Sequence, residues 1–159
     1  MKFETVEKQL LDQGFNIINK DFNKPWGGYF VIDESQSQIF ADIFFNGINI
    51  NSLEISGKLS PKILIVKPNA RLSWQYHLRR AEIWQIISGI VGVVRSKNDT
   101  EMKMEIHESG SQIMLGQNER HRLVGLNNWG IVAEIWQHID ANNPSDENDI
   151  IRVQDDFGR

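Results

Sequence analysis

Gln75, His77 and Glu82, followed well downstream by His121, offer one amide oxygen, two imidazoles and one carboxylate. Side chains alternate between the faces of a strand, so Gln75 and His77 point the same way, as do Glu82, Trp84 and Ile86 on the next strand. If that shared face is interior, the donors converge. His121 then arrives after a loop built from Gly116, Gln117, Asn118 and Glu119. Taken singly, each is an ordinary polar strand residue facing water. Together they predict a divalent metal site, because mixed nitrogen and oxygen donors without sulfur suit zinc, manganese, cobalt, iron or nickel.

Such a site needs strands to hold it, and the hydrophobic pattern supplies them. Phe3, Val6, Leu10 and Leu11 recur at helical spacing with Gly14 as a cap, predicting one amphipathic helix over residues 2–13. The period then becomes that of strands, at 15–18, 29–32, 39–45, 63–66, 72–77, 82–87, 90–95, 102–107, 111–115 and 130–138. Asn46-Gly47, Ser56-Gly57, Lys67-Pro68-Asn69, Ser88-Gly89 and Lys97-Asn98-Asp99 punctuate them with turn chemistry. Short strands with frequent turns imply a sandwich or barrel. The expected fold is all-β, a double-stranded β-helix (a jelly-roll barrel) with a short N-terminal helix.

At 159 residues the chain is expected to be one domain, with an arm over 1–23, the barrel over 24–138 and a tail over 139–159 that packs back on it. The tail is polar through Asp149, but Ile150, Ile151, Val153 and Phe157 argue against a frayed end. Hydrophobic residues make up 40% and charged ones 24%, ordinary values for a globular domain. A net charge of −4 argues against a nucleic-acid partner. No cysteine is present, which excludes disulfides and thiolate chemistry. No stretch approaches transmembrane length and no leader is evident, so the expectation is a cytoplasmic protein with no membrane partner.

Glu82-(x6)-Gly89 and Gly110-(x5)-Gly116-x-Asn118-x-x-His121 resemble the two halves of the cupin motif, with Gly116 and Asn118 where Pro and Gly are usual. More narrowly, the run Val66 to His77 followed by Arg80-Ala81-Glu82-x-Trp84 resembles the type II mannose-6-phosphate isomerase cupin. So do Lys24-Pro25-Trp26-Gly27-Gly28-Tyr29, His121-Arg122-Leu123 and the ending Asp149-Ile150-Ile151-Arg152-x-x-Asp155-x-Phe157-Gly158-Arg159. The resemblance implies metal ligation by Gln75, His77, Glu82 and His121, with one divalent ion, zinc first. Arg79 replaces the second histidine of the general cupin motif and counts against three-imidazole dioxygenase chemistry. No nucleotidyltransferase segment of the kind that often precedes this cupin is expected, so nucleotide-sugar synthesis is not implied.

The implied activity is aldose–ketose isomerisation of mannose 6-phosphate and fructose 6-phosphate. A metal would polarise the sugar carbonyl while a base moves the proton. Candidate bases are Glu134, His138, Glu54 and His107; Glu134 is preferred because the family often carries a Glu there. Arg71, Arg79, Arg80 and Arg122 adjoin ligand positions and could take the phosphate bidentately. Arg122 is assigned beside Glu134 as catalytic, with Arg71, Arg79, Arg80 and Trp84 as substrate-binding. The alternatives are a non-catalytic sugar- or small-molecule-binding module, and an isomerase of another sugar phosphate such as a heptose. A homodimer is the family-level expectation.

Overall fold

The computed structural model describes residues 2–53 and 58–159, so the Ser56-Gly57 turn and the candidate base Glu54 lie outside the described residues. In chain order the elements are α1 (Lys2–Asp12), β1 (Ile17–Lys24), β2 (Gly27–Ile32), α2 (Ser37–Phe44), β3 (Lys62–Val66) and β4 (Trp74–Tyr76). They continue with β5 (Arg80–Ser88), β6 (Ile90–Ser96), β7 (Glu105–Glu108), β8 (Gln112–Leu115), β9 (Arg120–Gly125), β10 (Gly130–His138) and β11 (Ile151–Gln154).

The strands form two antiparallel sheets, ordered β1-β2-β3-β10-β5-β8 and β11-β4-β9-β6-β7. This corrects the expected closed double-stranded β-helix. One sheet ends at β1 and β8, the other at β11 and β7, and among the described residues no ladder closes either sheet or joins the two. Closure requires edge strands to meet, which alternation along a strand does not encode. Here β7, β8 and β11 are four residues each, short edges of the kind that leave little backbone to pair.

A second correction falls at 39–45, expected as a strand and found as part of α2. Its buried residues, Ser37, Phe40 and Ala41, follow helical spacing, while Ile39 and Ile43 are exposed one turn apart. The Asp33 side chain accepts from Ser35 N just upstream, and Gln38 reaches Asp42 at 2.8 Å along the helix. A run of apolar residues this short fits either period, and packing against the sheet selects the helix.

The six-stranded sheet is covered on both faces. Ile63, Ile65, Ile83, Ala133 and Ile135 pack outward with Phe3, Val6 and Leu10 of α1 and Phe40 of α2. Leu64, Val66, Trp84, Ile86 and Val132 pack inward with Val91, Val93 and Leu123 of the five-stranded sheet. Polar residues interrupting that inner face are therefore buried between the sheets. Gly27 lets β2 approach β3 there: a Cβ on it would lie 1.9 Å from the Ile65 carbonyl oxygen.

Candidate metal centre

Glu82 occupies the inner face of β5, two residues before Trp84, and His121 the inner face of β9, two before Leu123. Gln75 on β4 is the register partner of His121, and His77 follows at the strand's end. The turn leading into β9 has Asn118 at φ 64°, a left-handed conformation that asparagine tolerates, with its N–H donating to the His77 carbonyl at 3.0 Å. His77, Glu82 and His121 are each about 2% exposed or less, and one donor atom from each lies within 4.8 Å of the others.

Both imidazoles are aimed by their outer nitrogens. His77 Nδ1 donates to the Asp149 carbonyl at 2.7 Å and His121 Nδ1 to the Glu119 carbonyl at 2.9 Å. A carbonyl only accepts, so each Nδ1 carries hydrogen, and a neutral ring then turns its Nε2 lone pair inward, the arrangement typical of metal-bound histidine. His77 Nε2 lies 2.8 Å and His121 Nε2 3.7 Å from the Glu82 oxygens. Tetrahedral zinc with bonds of ~2.0–2.2 Å holds its donors about 3.3 Å apart, between those two separations.

Two further observations favour a cation among these donors. Among the described residues His121 Nε2 is a buried side-chain nitrogen with no hydrogen-bond partner, a costly arrangement that a bound cation would relieve. His77 Nε2 and a Glu82 oxygen, 2.8 Å apart, also need a proton or a cation between them. Burial and the neighbouring positive charge of Arg80 and His77 lower His121 to about 4 against the pull of Glu82, so its lone pair is free at neutral pH. Burial alone would raise the Glu82 carboxyl, but His77, Arg80 and His121 outweigh it and hold the group well below the usual carboxylate range. The residues present thus fit a divalent ion.

Beside the centre lies a cavity of about 210 Å³, walled by Gln75, Glu82, Trp84, Arg80 and Glu134. This is smaller than the ~300–1,000 Å³ of pockets for drug-sized ligands, and suits a compact polar molecule. Glu134 stands opposite Trp84 in the β10–β5 register. Trp84 Nε1 is shared between Glu82 at 3.0 Å and Glu134 at 2.8 Å, and Trp136 Nε1 donates to the other Glu134 oxygen at 2.8 Å. Burial, then the charge of Glu82, pushes Glu134 up to about 8.

The expected substrate-binding residues separate. Arg80 is at the cavity but committed, with Nε 3.0 Å from Glu82, Nη1 on Ser145 and its plane stacked 3.6 Å above Trp136. Arg71 is paired bidentately with Asp156, and Arg79 with Asn143 and Pro144. Neither reaches the cavity. Arg122 alternates to the face opposite His121, where it binds the Leu72 carbonyl, Glu101 and Gln154. His138 is buried against Ser145 N and Ser60, and His107 pairs with Glu105 on an edge strand.

Besides Arg80, the cations that line the cavity are Lys24, Lys62, Arg152 and Arg159, none of which sequence reasoning singled out for charge. Lys24, Arg152 and Arg159 sit in the Lys24 to Tyr29 block and the chain ending, both noted for resemblance; Lys62 had no such signal. Lys62 is 7% exposed at its side chain, paired with Glu147 at 2.5 Å and 4.9 Å from both Tyr29 and Trp136 rings. Arg152 is the register partner of Gln75 across β11–β4.

A family model described as mannose-6-phosphate isomerase C-terminal matches residues 35–155. The xanthan biosynthesis protein XanB of Xanthomonas campestris pv. campestris is 29% identical over 136 residues, 86% of this chain and 23% of XanB. The alginate biosynthesis protein AlgA of Pseudomonas aeruginosa is 30% identical over 122 residues, 63% of this chain and 25% of AlgA. The chain spans about a quarter of the length of these curated relatives. Among solved structures, the capsular polysaccharide assembling protein CapF of Staphylococcus aureus gives a TM-score of 0.55 at 12% identity, over 88% of this chain and 34% of CapF. That likeness is one of fold alone.

Proposed function

The chain belongs to the mannose-6-phosphate isomerase C-terminal family of the cupin superfamily, and from that membership we propose that it is a metal-dependent sugar-phosphate isomerase interconverting mannose 6-phosphate and fructose 6-phosphate. The observation that carries the reading is the orphaned His121 Nε2, buried beside His77 and Glu82 next to a polar cavity. Gln75, whose amide oxygen accepts the Ser73 hydroxyl, would complete the donor set. A divalent ion held there would supply Lewis-acid polarisation of the sugar carbonyl, acidifying the neighbouring C–H.

Glu134 is the proton carrier in this proposal. As carboxylate it would take the proton from C2 of the aldose and return it to C1, while a second proton passes from O2 to O1 to complete the ketose. A base does this best when its pKa lies near the working pH. The indole N–H groups of Trp84 and Trp136 hold both Glu134 oxygens in place, so the carboxylate needs little reorganisation. Lys62, Arg152 and Arg159 would receive the phosphate. Arg152, beside Gln75 in the β11–β4 register and lining the cavity, would offer a planar guanidinium for bidentate contact.

One consequence is a proton count. At pH 7, Glu134 is largely protonated without metal, and His121 is already neutral. A cation beside Glu82 removes the second of the causes that raise Glu134, so its pKa falls and the proton leaves. Calorimetric titration of the ion into metal-free protein, in buffers of different ionisation enthalpy, is expected to show proton release that shrinks in Glu134→Gln. Equal release in both proteins would contradict this assignment.

The function itself is tested by coupling conversion of mannose 6-phosphate to a fructose 6-phosphate detector. Turnover that disappears with chelator and returns with a divalent ion is expected. A metal-loaded protein inactive on hexose and heptose phosphates alike would instead be a sugar-binding module.

A further inference from the structure

We propose that Asp149 is a positioning residue for His77, and that through it the C-terminal segment forms part of the metal centre. This rests on the metal reading of His77, Glu82 and His121. The Asp149 main-chain carbonyl accepts the His77 Nδ1 hydrogen at 2.7 Å. Its carboxylate accepts the N–H groups of the next two residues, Leu78 at 2.9 Å and Arg79 at 3.0 Å, and the Ser145 hydroxyl at 2.6 Å. One buried aspartate thus fixes both the imidazole and the backbone that leaves it, although the residues are some seventy positions apart.

The segment bearing Asp149 is anchored independently. Arg80 donates to the Ser145 hydroxyl at 2.9 Å and the Asp146 carbonyl at 3.0 Å, and Ser145 N donates to His138 at 2.9 Å. Beyond Asp149, Ile150 lines the cavity, and Arg152 pairs in register with Gln75. His77 sits at the end of a three-residue strand, so β4 alone constrains it weakly. Without the Asp149 contacts, the polar neighbours left to the ring are Glu82 at 2.8 Å and Arg80 Nη2 at 3.3 Å, both on Nε2, so nothing fixes it from the Nδ1 side and the direction of Nε2 loosens. Partners that orient a ligating histidine from behind are typically worth 10- to 100-fold in metal affinity.

The experiment measures zinc and cobalt affinity of the full chain by competition with a chromophoric chelator, in wild type, Asp149→Ala, Asp149→Asn and Asp146→Ala. Asp149→Ala is expected to bind about 10- to 100-fold more weakly. Asp149→Asn retains one acceptor oxygen and should fall between. Asp146→Ala removes a carboxylate that accepts from Asn148 N and pairs with Arg79 but makes no bond to His77, and should bind metal far more tightly than Asp149→Ala. Asp149→Ala keeps the main-chain carbonyl but deletes the carboxylate bonds to Leu78 N, Arg79 N and Ser145 that hold it against the ring, so the His77 Nδ1–H resonance, slowed in exchange by that carbonyl, should broaden or vanish. A purely structural aspartate would lower the melting temperature yet leave affinity and that resonance unchanged in the folded protein; that result overturns the proposal. If Asp149→Ala does not fold, wild-type affinity in Asp149→Asn overturns it equally. Absence of zinc or cobalt binding by wild type would instead overturn the metal reading beneath it.

Discussion

Glu134→Gln is expected to keep the bound ion and to lower kcat for sugar-phosphate isomerisation about 10²- to 10⁴-fold, the usual contribution of a positioned general base. The substitution preserves side-chain volume and one acceptor oxygen, so one of the two indole N–H bonds survives. The new amide sets a donor against the other indole, at a cost on the order of 1–3 kcal/mol for the buried mismatch. Metal content and melting temperature must therefore be read alongside turnover. Loss of kcat with metal retained assigns the proton transfer to Glu134. Undiminished turnover in a metal-loaded variant would remove Glu134 from the reaction, and neither His138 nor His107 reaches the cavity to replace it.

The paired substitution His77→Ala with His121→Ala should act one step earlier. It deletes both inward lone pairs and leaves Glu82 as the last strong donor of the three, which is too few to hold an ion closely. Bound metal should fall from about one ion per chain to none, and turnover to background. Stability offers an independent reading. An ion at a thousand times its Kd stabilises the wild-type fold by about 4 kcal/mol, seen as a higher melting temperature. The double variant should melt at the same temperature with or without metal. Retained metal-dependent stabilisation would place the ion elsewhere.

The cluster of His77, Glu82 and His121 was legible in the sequence from period-two spacing, a loop-delivered histidine and the family resemblance together. The strand at 130–138 was legible from the β-branched Ile131, Val132 and Ile135 and the turn chemistry before it. What alternation does not carry is closure, and the expected barrel proved to be two open sheets. Residues 39–45 were misread because seven mostly apolar residues satisfy both periods, and only packing of Phe40 against the sheet separates them. Strand β9 was missed because Arg120 and Arg122 masked its alternation; they belong to its outer face.

The phosphate-side cations show a different limit. Adjacency in sequence pointed to Arg71, Arg79 and Arg122 beside ligand positions. Yet neighbours on a strand face opposite ways, and Arg122 is carried away from His121 by that geometry. Lys62 and Arg152 are distant in sequence and become neighbours of the cavity only through the β10–β3 and β11–β4 ladders. Long-range pairing of this kind is invisible to spacing. Asp149 belongs to the same class, since its tie to His77 joins the segment before β11 to the end of β4.

The most direct test of the account is a titration of metal-free protein with a divalent ion, with bound metal counted by elemental analysis after gel filtration. The account predicts saturation at one ion per chain, abolished when His77 and His121 are both replaced. Wild-type protein that stays metal-free after remetallation, or that binds equally well without the two histidines, would contradict it.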